Sequence, residues 1–183
     1  MKKYIKFLLL FCFAAVIACG CSNNEEETET RTISITPYMF DEVEKSDEPC
    51  SDEDVAKIQE GINNWAGSFL ITSSDVEDED KEIIDEALYN SIVSDDEREK
   101  VQADREELYK DNSEVVVDSV ETTVNSAYPA TYEDTNMGYV ECNVDIKGTK
   151  NEEAFERNYT MTLLVSYETN TVSVYEVGEI SWE

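Results

Sequence analysis

The sequence predicts an α+β domain, with N-terminal helices packed on one face of a curved four-stranded antiparallel sheet, behind a signal peptide and a disordered tether. Three observations predict it. Apolar residues recur every three or four positions from residue 52 to about 110. From about residue 114 to the end the period changes to two. The first 50 residues show neither pattern, only a short apolar run followed by an acidic stretch.

That opening run sets the address of the chain. Lys2, Lys3 and Lys6 precede an apolar run from Phe7 to Ala18, then Cys19-Gly20-Cys21 and polar chain. A basic segment, a short apolar core and a small residue before a cut describe a secretory signal. About 12 residues are too few to cross a ~30 Å hydrocarbon core as a helix. Val16-Ile17-Ala18-Cys19 resembles the lipobox of bacterial lipoproteins, a family in which the cysteine thiol is alkylated with diacylglycerol and the cut falls just before it. Cys21, preceded by Gly20 and followed by Ser22, is the alternative acceptor. The resemblance implies residues 1–18 as a lipoprotein signal peptide. It also implies palmitate-type acyl chains as the membrane anchor, two chains on one sulfur being enough for stable attachment.

Residues 19–50 read as an acidic tether. Glu25-Glu26-Glu27-Thr28-Glu29-Thr30 has no core-forming residue and is expected to stay disordered. Some 30 residues reach at most ~100 Å when stretched, and nearer ~30 Å as a flexible chain. One apolar patch interrupts the tether: Ile33, Ile35, Tyr38, Met39 and Phe40 around Pro37. It is either a segment that folds back on the domain or a short motif for a partner protein.

The globular domain is expected over 51–183. Ser51 is a good N-cap, and Asp52, Glu53 and Asp54 suit the positive end of a helix dipole. Val55, Ile58, Ile62, Trp65 and Phe69 then form a single stripe to about Leu70. Thr72-Ser73-Ser74-Asp75 breaks this helix. The acidic run from Asp75 to Glu82 invites a calcium reading, but an EF-hand loop needs glycine at its sixth position, where Asp80 stands. A plain acidic helix start is the simpler account, with Ile83, Ile84, Ala87, Leu88 and Ile92 as its apolar face. Ser94-Asp95-Asp96-Glu97 has the form of a capping box and opens a third helix to about Lys110.

Four strands follow. Glu114–Tyr128 places Val116, Val120, Thr122 and Val124 on one face. Met137–Lys147 points Val140, Cys142, Val144 and Ile146 inward. Phe155–Tyr167 alternates most cleanly, with Phe155, Tyr159, Met161, Leu163, Val165 and Tyr167 inward. A hairpin at Glu168-Thr169-Asn170-Thr171 leads to Val172–Trp182, whose alternation slips near Gly178 and predicts a bulge. Cys142, in an apolar series, is either a small hydrophobe or the partner of Cys50 in a disulfide that export would permit.

Composition narrows the function classes. The chain has 14 basic and 43 acidic residues, a net charge of −29. Such a surface repels nucleic acid and anionic headgroups, so nucleic acid is not an expected partner. The absence of histidine removes Ser-His and Cys-His catalysis and His-bearing zinc sites. No cofactor is implied, and no metal site is assigned. Carboxylate and tyrosine chemistry stay open, with Asp118, Tyr159 and Tyr167 as the candidates for an enzyme pocket. Asp75–Asp80 and Glu133, Asp134 and Asn136 are the places where an acidic surface would gather cations.

The order of elements, a long first helix, two shorter ones and a four-stranded meander, resembles the cystatin-like roll and, within it, the nuclear-transport-factor-like superfamily. That resemblance implies a sheet curled round its helices, used by some members for small-molecule chemistry and by others only for binding or assembly. The expected function is a membrane-anchored exported lipoprotein on the extracytoplasmic face. It displays a non-catalytic binding or envelope-assembly domain, with an envelope protein as partner. A small-molecule enzyme and a cation-binding acidic surface are the alternatives.

Overall fold

A computed structural model of the chain describes residues 38–167 and 171–183. The leader, Cys19, Cys21, Ile33, Ile35 and most of the expected hairpin turn (168–170) lie outside the described residues. The element order is a 3₁₀ turn Met39–Asp41, β1 Glu44–Lys45, α1 Asp52–Phe69, α2 Asp78–Ser91 and α3 Asp95–Leu108. A second 3₁₀ turn Lys110–Asn112, β2 Val115–Tyr132, β3 Thr135–Lys150, β4 Glu153–Ser166 and β5 Ser173–Trp182 complete it. Three helices cover one face of a curled antiparallel half-barrel. Its strands follow chain order, β1 to β5.

The sheet has five strands where the sequence suggested four. The fifth comes from the expected tether: Glu44 pairs with Thr131 and Lys45 with Ala130 of β2. A two-residue strand carries no periodicity, which is why the sequence hid it. Residues 38–50 as a whole lie against the domain. Met39, Phe40 and Val43 cover Ala130, Met137 and Leu164 on the sheet face opposite the helices. The sheet therefore has two apolar clusters, a large one under the helices and a small one under this N-terminal strap.

Helices α1 and α3 begin at capping serines, whereas α2 begins without a side-chain cap. Ser51 Oγ accepts the Asp54 N–H at 3.2 Å, and three acidic residues occupy the first turn of α1. Ile58, Ile62 and Ala66 are its fully buried line, each isoleucine contributing ~1.5–3 kcal/mol by burial. Trp65 and Phe69 stand beside that line, half-buried and stacked at 6.2 Å between ring centroids. Gly61 lets α1 approach the start of β5, because a Cβ there would lie 2.1 Å from that of Val172. In α2 the buried residue is Leu88, followed by Ile92 beyond the helix end, while Ile83 stays 44% exposed. The apolar face expected of α2 is thus narrower than its spacing suggested. Ser94 Oγ caps α3 by accepting the Glu97 N–H at 3.3 Å.

The sheet is bent by bulges in its long second strand and its last strand. In β2 the register to β3 slips at Asp118 and again at Asn125, and in β5 the register to β4 slips at Gly178 and Tyr175. Each extra residue raises the local twist, which curls the sheet around the helices. The bulge expected near Gly178 is present. The one at Asp118 was not foreseen, and it corrects the facing of β2. Val115 and Val117 point to the helices, whereas Val116 is 40% exposed on the other face. Beyond the bulge Val120, Thr122 and Val124 return to the helix side, and β3 and β4 keep strict alternation.

Candidate functional site

Sheet edges decide where this molecule has unmet bonding capacity, since an edge strand presents a row of unpaired N–H and C=O groups. On the β5 edge, Val93 N–H donates to the Val177 carbonyl at 2.9 Å, and the Glu97 carboxylate accepts from Ile180. Burial, with Glu179 nearby, raises the Glu97 pKa above the ordinary carboxylate value. Glu97 thus serves the sheet edge, and only the Ser94 half of the expected capping box is recorded.

The β2 edge is covered at both ends. At one end Ser74 N–H donates to the Val115 carbonyl at 2.8 Å. Ser74 Oγ accepts from Val115 N–H at 2.7 Å, and Ser73 Oγ from Val117 N–H at 3.0 Å. At the other, Ser46 N–H bonds Pro129, Cys50 N–H bonds Ala127, and β1 pairs with Ala130 and Thr131. Gln59 Oε1, from α1, accepts the Val124 N–H at 3.3 Å. Of the residues that bond outward in this way, Val115, Val117, Val124 and Ala127 carry side chains on the helix side. Period-two alternation puts Val120 and Thr122 in the same set, with their backbone groups facing the edge. Among the described residues these two have no hydrogen-bond partner on that side.

A groove of about 340 Å³ lies there, walled by Ala56, Gln59, Glu60 and Asn63 of α1 and by Val120, Glu121 and Thr122 of β2. Thr122 is only 5% exposed, and its Oγ1 is buried without a partner. A buried hydroxyl left unbonded costs ~1–3 kcal/mol. The two carboxylates, Glu60 and Glu121, flank it on a chain of net charge −29. The volume is at the small end of the ~300–1,000 Å³ typical of ligand sites.

A second shallow groove, about 400 Å³, runs between α2 and α3 past Asp85, Tyr89 and Arg98. Its groups already have internal tasks. Arg105, 3% exposed, pairs with Asp85 and donates to the Phe69 and Leu70 carbonyls at the end of α1. Its guanidinium also lies 5.4 Å from the centre of the Tyr109 ring. One residue of α3 thus supplies donors that the C-terminus of α1 lacks. Arg98 donates to the Tyr89 and Ile92 carbonyls, to Asp95 and to the Tyr38 hydroxyl.

The residues singled out from the sequence are dispersed. Tyr38, Met39 and Phe40 belong to the strap, the last two donating their N–H groups to the Glu176 carboxylate at 3.0 and 2.9 Å. Asp118 is exposed in its bulge, Tyr159 is buried in the core against Trp182, and Tyr167 sits by Cys50. Neither of these two grooves is lined by Asp118, Tyr159 or Tyr167. Glu133 and Asp134 form the exposed tip of the β2–β3 hairpin, with Glu133 at φ 51°. Among the described residues no three Cys, Asp or Glu side chains converge as metal ligands. Cys50 and Cys142 are free thiols, which corrects the disulfide alternative. Cys142 is buried in mid-strand, while the Cys50 thiol hydrogen-bonds the Tyr167 hydroxyl at 3.9 Å. No described helix is long and apolar enough to cross a membrane.

The groove residues were missed by the sequence reading. Their one signal is the spacing of Ala56, Gln59, Glu60 and Asn63, a second stripe on α1 that is polar and so reads as a solvated face. No protein-family model matches the chain, and no curated protein or solved structure matches it either.

Proposed function

We propose that this protein is an exported lipoprotein, tethered through diacylglycerol on Cys19 or Cys21 to the extracytoplasmic face of a membrane. Its domain is a non-catalytic binding or envelope-assembly module of the cystatin-like, nuclear-transport-factor-like kind. The observation that carries this reading is Val16-Ile17-Ala18-Cys19 behind a basic, short apolar leader. The order of helices and the curled meander support the fold assignment. A groove made of backbone edge, amides and carboxylates is suited to holding a polypeptide.

The test is the intact mass of the protein from membrane fractions of an expressing bacterium, with mapping of its N-terminal peptide. A diacylglyceryl group on Cys19, or on Cys21, is the expected result. Cys→Ala substitution at the modified position then moves the protein out of the membrane fraction. An unmodified N-terminus in the culture medium overturns the anchor.

A further inference from the structure

Among the described residues, the β2 edge has a stretch left open between two covered ones, and a groove beside it. We propose that the β2 edge at Val120–Thr122 and the facing side of α1 bind an extended, Lys- or Arg-bearing segment of a partner protein, which adds as a strand. This rests on the reading of the domain as a binding module and names the chemistry of its partner.

Three observations converge on the site. Val120 and Thr122 offer two N–H and two C=O groups to an edge from which Ser73, Ser74, Cys50 and Gln59 have removed the neighbouring ones. Main-chain pairing of this kind supplies affinity, and side-chain contacts on alternate residues supply specificity. Thr122, which lines the groove, is nine-tenths or more buried, and its hydroxyl has no partner among the described residues. Glu60 on α1 and Glu121 on β2 place one carboxylate on each side of an incoming strand, so both faces of that strand meet negative charge.

Charge also chooses the occupant. A second copy would bring another chain of net charge −29 against the same carboxylates. The acidic stretch of this chain, Glu25 to Glu29, is repelled in the same way. A basic segment is attracted, and steering by complementary charge speeds its encounter. Proline is excluded at the positions of that segment whose N–H groups face β2, because it cannot donate to the ladder.

The experiment uses the full chain in non-ionic detergent and three fluorescein-labelled hexapeptides: alternating Lys-Thr, alternating Glu-Thr and a Lys-Pro peptide, Lys-Lys-Pro-Pro-Pro-Lys, which in either phase cannot present two successive donors toward β2. Anisotropy reads binding, and hydrogen exchange reads the amides of 118–124. The Lys-Thr peptide is expected to bind at low salt and to slow exchange at Val120 and Thr122 roughly tenfold, as new ladder hydrogen bonds do. The Glu-Thr and Lys-Pro peptides are expected to bind at least about tenfold more weakly. Glu60→Lys with Glu121→Lys, two exposed positions that leave the core intact, is expected to cost the Lys-Thr peptide about tenfold in affinity without lowering the melting temperature.

Equal binding of Lys-Thr and Lys-Pro overturns strand addition. Protection appearing elsewhere, or affinity indifferent to the two reversals, overturns the site. Protection at 120–122 that grows with protein concentration alone assigns the edge to a second copy and overturns the basic partner. The same preparation is weighed for acylation, so loss of the anchor and loss of the peptide contact are separate results.

Discussion

At the residue scale, burial separates two thiols that look alike in the sequence. Cys142 lies in the core face of β3, and desolvation pushes its pKa from 9.0 to about 12. Burial also raises that of Cys50, to a smaller extent, with the Tyr167 hydroxyl opposing and Asp54 adding to it. Reactivity follows the thiolate. Iodoacetamide is therefore expected to label Cys50 with a rate still climbing above pH 9, and to leave Cys142 unlabelled until the protein unfolds. Peptide mapping after a timed pulse at several pH values checks it. The sign for stability follows: the folded state holds the Cys142 proton where the unfolded chain has lost it. That contribution is fully present below about pH 9 and is lost as the pH rises through about 12. The inward facing of Cys142 was legible, because Val140, Val144 and Ile146 share its period. The free state of both thiols was not, because a pairing depends on distances that no local pattern encodes.

At the scale of elements, the strap meets β5 at Gly178 as well as at the Glu176 carboxylate. Phe40 covers Gly178, so closely that an added Cβ would lie 2.7 Å from the ring. Gly178→Ala is expected to cost about 1–3 kcal/mol by forcing the ring off its seat. In a Phe40→Ala background the same change should cost almost nothing, and urea unfolding of the four variants measures the coupling. Additive effects would mean that the ring and the glycine act independently. The long, strongly periodic elements were legible: α1 from its cap and isoleucines, β3 and β4 from their alternation. Strand β1 was not, since two residues fixed by pairing with β2 leave no trace in composition. The facing of Val116 failed for a related reason: the bulge at Asp118 adds one residue, and a single extra residue turns the segment before it onto the other face. The groove was illegible because a strand edge is a property of the partner that is missing beside it.

At the scale of the whole molecule, charge is the largest unbalanced quantity. A chain at −29 repels itself when compact, and salt relieves that repulsion as the screening length falls from ~10 Å at 0.1 M to ~3 Å at 1 M. Raising sodium chloride from 20 mM to 500 mM is therefore expected to raise the melting temperature by roughly 3–6 °C, equivalent to one or two kcal/mol for a domain of this size. A scanning calorimeter decides it, and a flat or falling melting temperature would show that the carboxylates are already balanced locally. Charge and composition, which set this behaviour, were legible in full; the way the sheet closes was legible only in outline, as curvature without its bulges. The strap has one further consequence, a mechanical one. A pull from the N-terminal side reaches the Met39–Asp41 turn and β1 before it reaches any long strand, and β1 is held by a two-residue pairing at a sheet edge. Such a joint peels one bond at a time, whereas β2 to β5 share the load over long ladders. Residues 38–50 would yield first, paying out about 45 Å of slack at ~3.4 Å per residue while the domain behind them stays folded.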